Sequence, residues 1–367
     1  MLSDAQTIVI KIGSTILVDS KTHVLREDWL EALADDLSGL TEKRIILVSS
    51  GAIALGRQRL SLFGKSLSLN QKQACAAAGQ SSLTRAYEDA LGRRGIITAQ
   101  ALLTLNDTED RRRWLNARST LETLLGLGAI PIINENDTVA TDEIRYGDND
   151  RLAARTAQMI GADLLILLSD IDGLYTADPR VDDTAEYLPV VTELTEEIMA
   201  MGGAANARAG MGSGGMATKL AAAQIATKAG CDMIICDGRK AGAVSALSKG
   251  ARHTLFKAKD NPRKARAQWI GGTLKPSGAL HVDSGAAGAL EKGSSLLPAG
   301  VTSVSGHFGK GDAVSIIANG AEIARGLVGY DLIDADRIKG LKSSEIADVL
   351  GYENGAALIH RDNLVML

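Results

Sequence analysis

Cysteine is scarce in this chain. Cys75, Cys231 and Cys236 are the only three, too few for a disulfide framework and without the CxxC or Cys/His spacing of a metal site. Buried thiols are the reading they support. Aromatic residues are only 3% of the sequence, so the core must be packed mainly from aliphatic side chains. No stretch approaches the roughly 18 uninterrupted apolar residues that a membrane helix requires. No basic start followed by a long apolar segment precedes the strand-like run at 7–12, and a cytoplasmic location is the expectation. Positive charge is not in surplus either. The formal net charge of -4 offers no polycation for nucleic acid or an anionic membrane, so any anion site has to be local.

What is present is a chain of 367 residues, 45% hydrophobic, 23% charged and with 39 glycines. That length exceeds the usual single domain, and two are expected. Up to about residue 257, short aliphatic runs alternate with helix-period segments, the pattern of an α/β domain with a largely parallel sheet. Strands are predicted over 8–11, 44–48, 96–100, 130–133, 164–168 and 233–236, and helices over 27–37, 71–91, 111–125 and 216–229. A polar stretch with the breaker Asn261-Pro262 reads as a linker over 258–272. Beyond it, glycine-punctuated β-like runs at 279–282, 301–304, 313–317 and 323–328, with a helical 286–291, indicate a small β-rich domain over 273–367.

Open α/β sheets bind ligands beyond the carboxyl ends of their strands, which directs attention to the residues after each run. Lys11 closes the first strand beside Gly13, where a fixed cation would stand next to a closely approachable backbone. By itself a strand-end lysine is more often a solvated charge. The second strand runs into Ser49-Ser50-Gly51-Ala52, a small-residue turn opening a helix, suited either to plain capping or to an anion. Asn134-Glu135-Asn136-Asp137 follows the fourth strand, and Gly147-Asp148-Asn149-Asp150 opens a helix. Two such clusters of amides and carboxylates could hold an ammonium group, orient lysines or meet magnesium. The apolar strand 164–168 discharges into the polar loop Ser169 to Arg180, which includes Asp170 and Tyr175. Gly210-Met211-Gly212-Ser213-Gly214-Gly215-Met216-Ala217-Thr218-Lys219 is the strongest local anion signal: bare N–H groups for phosphates, with a lysine in the first turns of a helix.

Two better-known nucleotide motifs do not hold up. Gly210, Gly212 and Gly215 fit GxGxxG, but no strand precedes them. Gly64-Lys65-Ser66 imitates the tail of a Walker A loop, yet position 59 is arginine rather than glycine.

In order and spacing, the runs 131–137, 147–150, 173–180 and 214–219, together with Lys11, Gly13 and the 49–52 turn, resemble the amino-acid kinase superfamily and, more narrowly, its glutamate 5-kinase family. The tail resembles a PUA domain through Val282-Asp283-Ser284-Gly285-Ala286, Gly293 to Pro298, Gly311-Asp312 and Gly351-Tyr352-Glu353. Ser14-Thr15 stands where Thr-Ser is expected and Ser169 where threonine is, so hydroxyls are kept.

The resemblance implies a carbamate kinase-like sandwich with a mostly parallel central sheet, and phosphorylation of the glutamate side-chain carboxylate by ATP. The product would be glutamyl 5-phosphate, at the entry to proline synthesis. Nucleotide contacts would fall on Lys11, Gly13, Ser169, Asp170, Tyr175, Gly212, Ser213, Gly214, Gly215, Met216 and Lys219. Substrate contacts would fall on Ser50, Gly51, Ala52, Asn134, Asp137 and Asn149. Lys11 and Lys219 would neutralise the phosphoryl group in flight, where positioning and electrostatics supply most of the acceleration. The acceptor, with an ordinary pKa of about 4.3, is already ionised, which assigns Asp150 to orienting the lysines rather than to base work. Magnesium would bridge the nucleotide phosphates with no dedicated protein ligand. Feedback inhibition by proline and a homo-oligomer, dimer or tetramer, are implied in the same way.

Aspartate kinase, N-acetylglutamate kinase and uridylate kinase would share the ATP machinery, but the PUA-like tail argues against them. PUA domains often bind RNA, yet residues 273–367 carry eight Lys or Arg against eleven Asp or Glu, which leaves phosphate-driven binding without its source of affinity. A nicotinamide oxidoreductase would need the missing strand before Gly210. The basic run Arg111-Arg112-Arg113 beside Trp114 could be an effector or subunit contact, although a solvated helix face is the commoner outcome.

Overall fold

The computed structural model describes residues 2–40, 42–64, 66–139, 149–203, 215–352 and 355–367. The chain divides into two compact units, Met1–Pro262 and Arg263–Leu367.

The strands of the first unit are β1 (Thr7–Ile12), β2 (Arg44–Ser49), β3 (Thr98–Leu103), β4 (Ile130–Glu135), β5 (Leu164–Ser169), β6 (Leu174–Tyr175), β7 (Tyr187–Leu188), β8 (Val190–Val191), β9 (Asp232–Asp237) and β10 (His253–Phe256). Eight of them form one sheet in the order β3-β4-β2-β1-β5-β9-β10-β8, while β6 and β7 pair separately. All neighbours in the large sheet run parallel except β9 and β10. The expected mostly parallel sheet is therefore present. β1 and β5 are buried along their whole length, as strands covered on both faces must be.

The strand period of two sorts side chains between those faces. Ile8, Ile10 and Ile12 of β1, Ile45 and Leu47 of β2 and Ile132 of β4 enter one core with Trp29, Leu83, Tyr87 and Val244. Val9, Ile46, Val48 and Ile133 enter the other with Leu121, Leu152, Ala153 and Leu220. The first face is thus covered by the helices Glu27–Ser38, Ala52–Arg59, Leu69–Gly92 and Ala243–Ser248, and the second by Arg111–Gly126, Asn149–Ile160 and Met216–Lys228. By the same alternation Lys11 lies on the second face, whereas Ser49 and Asn134 lie on the first.

The second unit contains β11 (Gly278–Val282), β12 (Val301–Gly306), β13 (Ala313–Ala318), β14 (Ala321–Leu327) and β15 (Leu364–Met366), in the order β12-β11-β13-β14-β15. Only β11 and β13 pair in parallel. Its own core gathers Leu280, Val314, Ile316, Tyr330, Ile338 and Leu358. The stretch expected as a linker is largely structured: the helix Pro262–Gln268 leads into a π-helical turn, Trp269–Thr273. Ile270 there is 1% exposed and packs with Ala313 and Leu327. One apolar anchor in a polar run leaves too weak a periodicity to be read as a packed element. Among the described residues no helix is long and apolar enough to cross a membrane, and all three cysteines are buried. Burial pushes the Cys236 thiol up to about 12.

Candidate active site

The carboxyl end of β1 and the starts of two helices converge on a charged cluster. Lys11 reaches the second face of the sheet at the end of β1, where its Nζ lies 2.6 Å from Asp150 Oδ1. Lys219, in the first turn of Met216–Lys228, donates from Nζ to Asp150 Oδ2 at 3.1 Å. Thr218 Oγ1 donates to the same oxygen at 3.0 Å. Asp150 itself stands in the first turn of Asn149–Ile160, where a helix favours negative charge. All three charged residues are buried, Asp150 at 1% exposure. Burial alone would raise its pKa, but the two ammonium groups outweigh that and hold the carboxyl well below the usual carboxylate range. Two ammonium groups fixed side by side on one buried carboxylate suit an anionic ligand with exchangeable oxygens, such as a phosphoryl group.

The neighbouring residue starts a second, uncharged cluster. Asn149 Nδ2 donates among three acceptors: the Ser49 carbonyl at 3.0 Å, Ser50 Oγ at 2.7 Å and Asn134 Oδ1 at 3.0 Å. Asn134 Oδ1 also accepts from the Glu135 N–H at 2.9 Å, while Asn134 Nδ2 donates to Gln80 Oε1 at 2.8 Å. Ser49 Oγ and the Tyr87 hydroxyl are 2.9 Å apart. Gly51, at φ +111°, takes a left-handed turn into Ala52–Arg59. That helix crosses Leu69–Gly92 with backbones in direct contact. A Cβ on Gly79 would overlap the Ala52 carbonyl oxygen, and one on Gly56 would overlap that of Cys75. The Ser50-Gly51-Ala52 turn is thus seated on a fixed helix pair. Ser50 Oγ accepts from Asn149, and among the described residues its own proton has no acceptor.

Asp137, in the loop after β4, is 8% exposed. Burial pushes its pKa up to about 6. On the other side, Gly13 follows β1 at the start of Ser14–Leu17. Ser169 ends β5 and its Oγ donates to Asp170 Oδ1 at 3.2 Å. The Tyr175 hydroxyl donates to Asp172 Oδ1 at 2.8 Å and accepts from Arg252 at 3.3 Å. Gly215 is the N-cap of Met216–Lys228. Gly210, Met211, Gly212, Ser213 and Gly214, and likewise Gly147 and Asp148, lie outside the described residues, as does Lys65. Thr218 and Gln80 are the polar groups that sequence reasoning passed over. The first adjoins Lys219 in the glycine-rich run; the second sits inside a long helix with no local signal.

Residues 6–237 match the family model described as the amino acid kinase family, and residues 278–350 match that of the PUA domain. A protein of Caulobacter vibrioides named glutamate 5-kinase is 56% identical over 365 residues, 99% of this chain and 97% of its own. The chain belongs to the glutamate 5-kinases of the amino acid kinase family. Glutamate 5-kinase 1 of Mesorhizobium japonicum is 56% identical over 100% of this chain and 97% of its own. The glutamate 5-kinase of Rhizobium leguminosarum bv. trifolii is 57% identical over 98% and 92%. The resemblance to the glutamate 5-kinase family on motif order, and that of the tail to a PUA domain, are borne out.

Proposed function

We propose that Lys11 and Lys219 together carry the γ-phosphoryl group from ATP to the side-chain carboxylate of L-glutamate, with Asp150 holding both ammonium groups in place. The carrying observation is that each oxygen of one buried carboxylate meets a different lysine. A glutamate carboxylate oxygen bonds to the γ-phosphorus as the bond to the β,γ-bridging oxygen breaks, giving ADP and glutamyl 5-phosphate. No proton leaves an acceptor that is ionised at neutral pH. Asp150, held as a carboxylate by two cations, therefore has no base to play. Its work is to set the spacing of charges that meet a dispersed transition-state charge.

Glutamate would lie on Ser50, Gly51 and Ala52 through a carboxylate, with Asn134 and Asn149 as amide partners and Asp137 facing the α-ammonium. The nucleotide would lie along Gly13, Ser169, Asp170 and Tyr175, with its phosphates over Gly212, Ser213, Gly214, Gly215 and Met216. Among the described residues no three His, Cys, Asp or Glu are grouped to hold a metal, and both Asp150 oxygens are engaged by lysines. Magnesium would be held by phosphate oxygens and water rather than by a protein cage. The ion would supply charge neutralisation at the β- and γ-oxygens.

The kinase chemistry is assigned to residues 1–257 and the PUA domain to 273–367, with 258–272 joining them. A place at the start of proline synthesis, inhibition by proline and a dimeric or tetrameric assembly in the cytoplasm belong to the same reading. The acidic balance of residues 273–367 speaks against RNA as that domain's ligand. The direct test incubates the protein with ATP, magnesium and hydroxylamine, offering glutamate, aspartate or N-acetylglutamate. Glutamate alone should yield hydroxamate in step with ADP; hydroxamate from another acceptor, or ADP without hydroxamate, would sink the assignment.

A further inference from the structure

We infer that Gln80 is a positioning residue for the α-ammonium of glutamate, acting through Asn134 and Asn149. The inference rests on the reading that Asn149 and Ser50 bind the amino-acid substrate, and it adds the residue that braces the Asn134–Asn149 chain from behind.

Two backbone groups set the direction of the amide chain. The Glu135 N–H can only donate, so the Asn134 atom 2.9 Å from it is Oδ1. The Ser49 carbonyl can only accept, so the Asn149 atom 3.0 Å from it is Nδ2. Asn134 must then turn Nδ2 away from Glu135 and needs an acceptor there. Gln80 Oε1 supplies it at 2.8 Å, from a helix on the face of the sheet where the alternation of β4 places Asn134. Gln80 Nε2 lies 3.4 Å from Thr84 Oγ1 on the same helix, which holds the side-chain amide in this sense.

With Nδ2 so engaged, Asn149 Oδ1 points the other way. It is buried and has no hydrogen-bond partner among the described residues. A buried amide oxygen without a donor is costly, and a ligand that brings one recovers the loss. Glutamate at neutral pH has both carboxylates ionised, so its only N–H donors are those of the α-ammonium. The geometry therefore points Asn149 Oδ1 at that ammonium. Gln80 determines how firmly it stays there.

The experiment compares wild type, Gln80→Met, Gln80→Glu and Asn149→Ala in the full chain. It measures KM and kcat for glutamate, KM for ATP, the inhibition constant of glutarate, and the thermal midpoint. Glutarate is glutamate without the ammonium. Methionine matches the reach of glutamine and lacks an acceptor; glutamate keeps one. Gln80→Met should raise the glutamate KM about 5- to 10-fold, the scale of one hydrogen bond. ATP KM and glutarate inhibition should stay within about twofold, the thermal midpoint should fall modestly because Asn134 Nδ2 loses its acceptor, and Gln80→Glu should recover most of the loss. If Asn149→Ala weakens glutamate while Gln80→Met does not, this inference is wrong and the substrate reading stands. If glutarate suffers as much as glutamate, Gln80 has only a structural part and the inference is again overturned. If Asn149→Ala leaves the glutamate KM unchanged, the substrate reading fails and takes this inference with it.

Discussion

Asn149 and Asp150 are consecutive residues in the first turn of one helix, and they open two clusters of opposite character. Asp150 faces Lys11 and Lys219, a buried site held by charge. Asn149 faces Ser49, Ser50 and Asn134, a site held by directed neutral hydrogen bonds. Charge acts over several ångströms and strengthens where water is excluded, which suits an oxygen-rich group whose charge shifts during transfer. Neutral hydrogen bonds fail within a fraction of an ångström or a few tens of degrees, which suits telling one amino acid from another. Buried carboxylates show the same contrast. Asp150, between two cations, is held far below the usual range, whereas Asp137 is pushed up by burial to about 6.

The largest effect should come from breaking the charged cluster. Asp150→Ala leaves two ammonium groups buried together; kcat should fall by about 10³-fold and stability by roughly 3 kcal/mol. Steady-state kinetics beside denaturant titration would measure both, and loss of stability without loss of kcat would remove Asp150 from the chemistry. Below that in size stands the support of the amide cluster. Gly79→Ala forces a methyl against the Ala52 carbonyl and should cost roughly 2 kcal/mol, with a rise in glutamate KM and little change for ATP. Asn149→Ala should raise glutamate KM about 30-fold with kcat much less affected, because the proposed hydrogen bonds to the substrate would be made in the ground state as well as in the transition state.

The smallest effect is a titration. In the proposed site Asp137 faces the α-ammonium; protonating it would remove that charge, so kcat/KM for glutamate should fall as pH drops below about 6. Asp137→Asn should be weak at every pH and flat through that window. The stability sign is the reverse. A carboxyl raised above its unfolded value stabilises the fold below the ordinary carboxylate range, and the contribution is lost as pH rises through about 6. Asp137→Asn should therefore raise the thermal midpoint more at pH 8 than at pH 5. Asp150, being lowered, behaves oppositely: its contribution is present at neutral pH and disappears only in strong acid.

The charged cluster was far more legible in the sequence than the amide one. Lys11 at the end of an aliphatic run, and Lys219 one helical turn past a glycine cluster, each carry a local signal because strand ends and helix starts are marked by composition. Asn134 and Asn149 stood in recognisable polar runs. Gln80 did not: it lies 54 residues from Asn134 in sequence, and only the packing of Leu69–Gly92 on the sheet unites them. The strands of the sheet were readable from their apolar runs, since residues buried on both faces leave little room for polar interruption. The strand His253–Phe256, between β9 and the edge strand β8, runs antiparallel to β9 and is too short and too mixed, with His253 and Thr254, to stand out. The helix Pro262–Gln268 and the turn Trp269–Thr273, where the second unit begins, were hidden because Ile270 alone supplies deep burial there.

In the proposed mechanism both lysines act on a single phosphoryl group, and groups that work as a unit lose their effects together rather than separately. The decisive measurement is kcat for Lys11→Ala, Lys219→Ala and the double variant under saturating ATP and glutamate. Each single change should cost at least about 10³-fold and the double change scarcely more. Losses that multiply, or a single variant that turns over near the wild-type rate, would show that the two ammonium groups do not share one task.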